Sequence, residues 1–151
     1  MELRDHATGD FLALSLRGYE FPETPDNWLR VQIDGSLGSR TWTTTDPCLE
    51  TFDVEALARW LSAAADAPVE LKPLELTEPS LSFEFLDGAD DLIHVRIWLE
   101  LEARPPWASK GFVDERDLAL DLVLSSRDLR SAADALVSEL ENYPTRVERA
   151  S

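Results

Sequence analysis

The chain has 151 residues, 44% hydrophobic and 29% charged, which suits one globular domain with one core and excludes intrinsic disorder and fibrous repeats. Thirty Asp and Glu against fourteen Lys and Arg give a net charge of −16, a field that repels nucleic acid and anionic membrane surfaces and draws basic partners. A single cysteine, Cys48, excludes an internal disulfide framework and suits a reducing compartment. The opening Met1-Glu2-Leu3-Arg4-Asp5 lacks the basic and apolar regions of a secretion signal and no stretch is long and apolar enough to span a membrane, so a cytoplasmic location is expected.

In chain order, Leu12, Leu14 and Leu16, then Leu29, Val31 and Ile33, recur at every second position, the period of a strand with one buried face. The Thr-rich Ser39–Thr44 after Gly35 and Gly38 reads as the returning strand of a hairpin, so the first third is expected to be a meander. A first helix is expected over about 53–65, with Asp53 as N-cap, Phe52 and Leu57 as a hydrophobic staple, and Val54, Leu57, Ala58 and Leu61 on one stripe. Asp66-Ala67-Pro68 ends it, and Leu81–Phe85 alternates as a strand.

Asp87-Gly88-Ala89-Asp90-Asp91 reads as a turn. Beyond it Ile93, Val95, Ile97, Leu99 and Leu101 face one way, while His94, Arg96, Trp98, Glu100 and Glu102 face the other. Leu118, Leu120, Leu122 and Leu124 supply its partner strand. A second helix over about 126–142 has Ser125 as N-cap, Asp128 three residues on, and a stripe of Leu129, Ala132, Ala133, Leu136, Val137 and Leu140 before Pro144. Alternating strands and two stripe-bearing helices predict a single α+β domain over 1–151: a curved, mainly antiparallel sheet of about seven to eight strands packed by two helices.

No catalytic apparatus is legible. His6 and His94 are the two histidines, neither sits in a nucleophile motif, and Cys48 between Pro47 and Leu49 has none either. Accidental carboxylate pairs are certain among thirty acids, so no pair is informative. The Asp87–Asp91 stretch lacks the alternating oxygen ligands and closing glutamate of a calcium loop. No metal site, phosphate loop or cofactor is expected, and no oligomeric state follows.

The tryptophans are more informative. Trp98 has the parity of Arg96 and Glu100, and Trp28 that of Arg30 and Gln32, which puts both on the less buried side of the sheet, and Trp is prominent in interface hot spots. The competing reading covers that face with a helix or with the loop bearing Trp107.

Gly18-Tyr19-Glu20-Phe21-Pro22 followed by Asn27-Trp28-Leu29-x-Val31-x-Ile33 resembles the opening of the WapI family of bacterial immunity proteins, and the later order of elements agrees. The resemblance implies a non-enzymatic intracellular antitoxin that binds and blocks the toxic domain of a wall-associated or related polymorphic toxin, typically a nuclease. It carries over no contact residues. Within the motif, Gly18 and Pro22 suit a turn, and Tyr19 and Phe21 suit anchoring in the core.

A cognate basic toxin domain is therefore the expected partner, with no nucleic acid and no membrane. The expected contacts are Glu20, Glu23, Asp26 and Trp28 in and after the first loop, Asp87, Asp90 and Asp91 at the turn, Trp98 and Glu100 on the strand, and Asp114 and Glu115 beyond it. The alternative from a different class is a small-ligand or accessory domain, for which a deep pocket lined by Trp42, Trp98 and Phe83 would speak.

Overall fold

A computed structural model of the chain describes residues 1–108 and 118–146. Four strands, β1 (Glu2–Arg4), β2 (Phe11–Tyr19), β3 (Trp28–Leu37) and β4 (Arg40–Glu50), lead into helix α1 (Thr51–Ala65). Four more, β5 (Leu74–Glu75), β6 (Leu81–Ala89), β7 (Leu92–Leu99) and β8 (Ala119–Ser125), lead into helix α2 (Ser126–Leu140). The expected α+β class, eight strands and two helices are present. The strands divide into two four-stranded antiparallel sheets, each in sequence order.

Sequence order follows from tight turns. Leu37 pairs with Arg40 and Ala89 with Leu92, leaving Gly38-Ser39 and Asp90-Asp91 as two-residue connections with positive φ throughout. This is the primed turn whose twist matches the strands, and Gly, Asn and Asp tolerate it best.

Alternation then sorts the side chains. Leu12, Leu14, Leu29, Val31 and Ile33 from the first sheet and Phe83, Ile93, Val95, Ile97, Leu122 and Leu124 from the second are fully or almost fully buried. α1 contributes Val54, Leu57 and Leu61 to the same core, and α2 contributes Leu129, Ala132, Ala133 and Leu136. Gly35 is required opposite Trp42, because a Cβ there would lie 2.3 Å from the ring's Cη2.

The sheets meet where β1 approaches β8, and Asp5 joins them. Its Oδ1 accepts from Val123 N at 2.6 Å, and its Oδ2 accepts from Ala7 N, Thr8 N and Thr8 Oγ1 at 2.7–3.0 Å. His6 N adds a bond to Val123 O at 3.1 Å.

Three local expectations are corrected. α1 begins at Thr51, with Glu50 as N-cap. Asp53 is instead its third residue, where Oδ2 accepts from Glu50 N at 2.9 Å and Oδ1 from Thr77 N at 3.0 Å. The alternation of β7 stops at Leu99, because Leu101 has φ of +48° and turns out into solvent. Val137 is 53% exposed, because it lies on the wall of an open groove between α1 and α2 instead of inside the core.

Candidate protein interface

The first expected contact group is a loop pinned by the chain's far end. Arg146 donates through its guanidinium to the carbonyls of Phe21, Pro22 and Asp26 at 2.6–3.1 Å, and its backbone N donates to Asn27 Oδ1 at 2.7 Å. The same guanidinium lies 3.6 Å over the Tyr19 ring, which meets Tyr143 edge-on and donates its hydroxyl proton to Pro144 O. Tyr19 is thus an anchor, as the motif suggested, but its contacts are with the closing segment. Phe21 is 51% exposed and does not enter the core, because the turn at 21–26 lifts it away.

Within that loop the acids differ. Glu20 pairs with Arg30 at 3.1 Å. Asp26 accepts from Trp28 N at 3.1 Å and from the Thr24 hydroxyl, so it shapes the turn, while Glu23 is exposed. Trp28 is half-buried on the outer face of β3, as its parity required.

The second group is the β6–β7 hairpin tip. Asp87, Asp90 and Asp91 are exposed, Asp87 pairs with His94 at 3.1 Å, and the Asp91 carbonyl accepts from Ser126 N at the start of α2. The third group is at the other end of β7: Trp98 follows Asp91 by seven residues, about 23 Å along an extended strand. Trp98 Nε1 donates to Glu84 Oε2 at 3.2 Å, and Arg96, 5.6 Å from the Trp98 ring, grips Asp121 through two bonds at 2.7 and 3.2 Å. Glu100 lies just past the strand, its N donating to Ser80 O. Asp114 and Glu115 lie outside the described residues.

The hairpin tip and the Trp98–Glu100 end of β7 are therefore separate regions. Sequence parity placed each tryptophan on its correct face but carried no signal for Arg146 or Tyr143, whose partners are more than a hundred residues away.

Phe83 and Trp98 lie on opposite faces of the same sheet, the first fully buried and the second outward, and Trp42 packs in the first sheet against Trp107 at 6.0 Å. These three do not line one pocket. The loop bearing Trp107 serves the first sheet: Trp107 Nε1 donates to Thr41 O, and Arg40 stacks 4.1 Å over the ring.

Nucleophilic chemistry finds little support at the residues sequence singled out. Burial, with Asp46 next, pushes the Cys48 thiol up to about 12, so it stays protonated and unreactive at neutral pH. His6 Nε2 lies 2.6 Å from Asp128 Oδ2, and Asp128 also accepts from Ser125 N in the capping box of α2. Burial alone would raise the Asp128 carboxyl, but bonds from His6 and Ser125 outweigh it and hold the group below its usual range. The pair fastens the β1–β2 connection to a helix end.

No helix among the described residues is long and apolar enough to cross a membrane, and no cluster of three or more metal-ligating side chains occurs among them. No curated protein and no solved structure matches the chain. One family model matches residues 3–144, nearly the whole length, including the Gly18–Pro22 motif, both sheets and both helices. The chain belongs to the WapI-like immunity protein family.

Proposed function

We propose that the chain is a cytoplasmic immunity protein that neutralises a toxin domain by binding and covering it, without chemistry of its own, and that the toxin is a basic, nuclease-type domain. The family match over residues 3–144 carries the reading. The net charge of −16 supports a basic partner, since a surface built to hold phosphates also attracts carboxylates and associates with them quickly.

Titration calorimetry against the inactivated toxin domain encoded beside the gene tests the proposal. Saturable binding is expected, with affinity falling as salt rises from about 0.05 to 0.5 M because exposed charges are then screened. Co-expression should restore growth to cells making the active toxin. A toxin that neither binds at low salt nor loses its toxicity would overturn the assignment; salt-independent binding would overturn the electrostatic part alone.

A further inference from the structure

The segment between α1 and β5 runs beside β6 without joining it. Leu74 pairs with Phe83 and Glu75 with Ser82, and that register carried backwards sets Lys72 opposite Phe85 and Leu71 opposite Leu86. The ladder stops for identifiable reasons. Pro73 has no amide hydrogen to donate. The Lys72 carbonyl is engaged by Trp60 Nε1 of α1 at 2.9 Å, and a register shift between Phe85 and Asp87 disturbs β6 at the same level. Between the two segments remains a cleft of about 380 Å³ lined by Val69, Glu70, Leu71, Lys72, Phe85 and Leu86.

The cleft is uncovered and its lining mixes apolar with polar surface: Val69 is fully exposed and Leu86 is 38% exposed. Large apolar groups left together in water mark interaction surfaces. Its surroundings are acidic. Glu70 and Lys72 offset each other on its wall, but Asp87 follows Leu86, and Asp90 and Asp91 form the hairpin tip about 13 Å further along the strand. A second groove of about 440 Å³ between the helices has Val54, Ala58 and Val137 on its walls, with Glu55 and Asp134 against Arg59 in its charged lining.

We propose that the cleft beside β6 is the docking point for the protein partner, and that it receives a large apolar side chain from an extended segment flanked by Lys or Arg. This rests on the immunity reading and names its contact surface. The inserted side chain packs on Val69, Leu71, Phe85 and Leu86, while the flanking cations face Glu70, Asp87, Asp90 and Asp91.

The test is calorimetric titration of the inactivated neighbouring toxin domain into wild type and three variants: Val69→Ser/Leu86→Ser, Asp90→Asn/Asp91→Asn, and Val137→Ser as a control at the helix groove. Val69 is exposed, so its truncation removes no core contact, and Asn tolerates the positive φ at both turn positions. The apolar variant should bind on the order of tenfold more weakly. The Asn variant should bind a few-fold more weakly at low salt and lose part of its salt dependence. Val137→Ser should match wild type. Wild-type affinity in either of the first two variants would overturn the cleft while leaving the immunity role standing; no binding by wild type itself would overturn both.

Discussion

Removing the Asp5 carboxylate should loosen the junction between the two sheets. The side chain is 4% exposed and accepts four hydrogen bonds, three of them from backbone amides in two parts of the chain: Ala7 and Thr8 after β1, and Val123 on β8. In Asp5→Asn one oxygen can still accept from Val123, but the new amide group faces the Ala7 and Thr8 donors with donors of its own. Hydrogen bonds to a charged group are each worth about 1.5–3 kcal/mol net, and a buried donor left unmatched costs about 1–3 kcal/mol. These terms overlap within one cluster, so a loss of about 3–4 kcal/mol is expected, a large share of the stability of about 5–15 kcal/mol typical of a domain. Urea unfolding followed by tryptophan fluorescence measures it; at an m-value of about 2 kcal/mol/M the midpoint should drop by about 1.5–2 M at pH 7.

The same substitution carries a pH signature. Burial of Asp5 would by itself raise its carboxyl pKa, but the bonds from Val123, Thr8 and Ala7 outweigh burial and lower it below the ordinary value. A folded-state pKa below the unfolded one gives stability that is complete above about pH 4 and is lost as pH falls through the folded value. The gap between wild type and Asp5→Asn should be constant from about pH 6 to 8 and narrow below about pH 4. Equal midpoints at pH 7, or a gap that widens in acid, would refute the reasoning.

Three further outcomes follow from the same packing. Gly35→Ala should destabilise by about 1–3 kcal/mol in thermal unfolding, because the new Cβ would sit 2.3–2.8 Å from three Trp42 ring atoms, the side of a rigid ring pressed into the sheet. Arg146→Ala should leave the fold intact but raise amide exchange in residues 20–27, since three carbonyls there lose their shared donor; unchanged exchange would show that the strap is not what orders the loop. Cys48 should resist iodoacetamide at pH 8 in the native protein and react readily in denaturant, as a buried thiol raised to about 12 requires.

Much of the fold was legible because its signals are local. A period of two marks β2, β3, β6, β7 and β8, and Ser125 with Asp128 marks the start of α2 correctly. Errors arose where a local rule competed with a distant contact. Asp53 has the right chemistry for an N-cap, yet its bonds to Thr77 and Glu50 place it at the third position of the helix, within the first turn. The division of eight strands into two sheets was illegible for a related reason: β1 and β8 meet through Asp5 rather than through a continuous ladder, and a single carboxylate more than a hundred residues from its partner leaves no periodic trace.

The acidity has the same lesson for the interface. Net charge counts all carboxylates equally, but Asp5, Asp53 and Asp128 hold backbone amides, Asp26 shapes a turn, and Asp10 accepts from Gly38 N at 3.2 Å. Glu20 and Asp121 are matched by Arg30 and Arg96. Carboxylates used in this way cannot also meet a partner without releasing part of the fold. Those that can do so at little cost have no such internal duty. Glu70, Asp90 and Asp91 have that freedom and share an exposed apolar neighbourhood with Val69 and Leu86. A charge reversal at Asp5 or Asp53 would therefore impair binding only by unfolding the protein, whereas neutralising Asp90 and Asp91 should alter binding at unchanged stability, and that separation is what a partner surface requires.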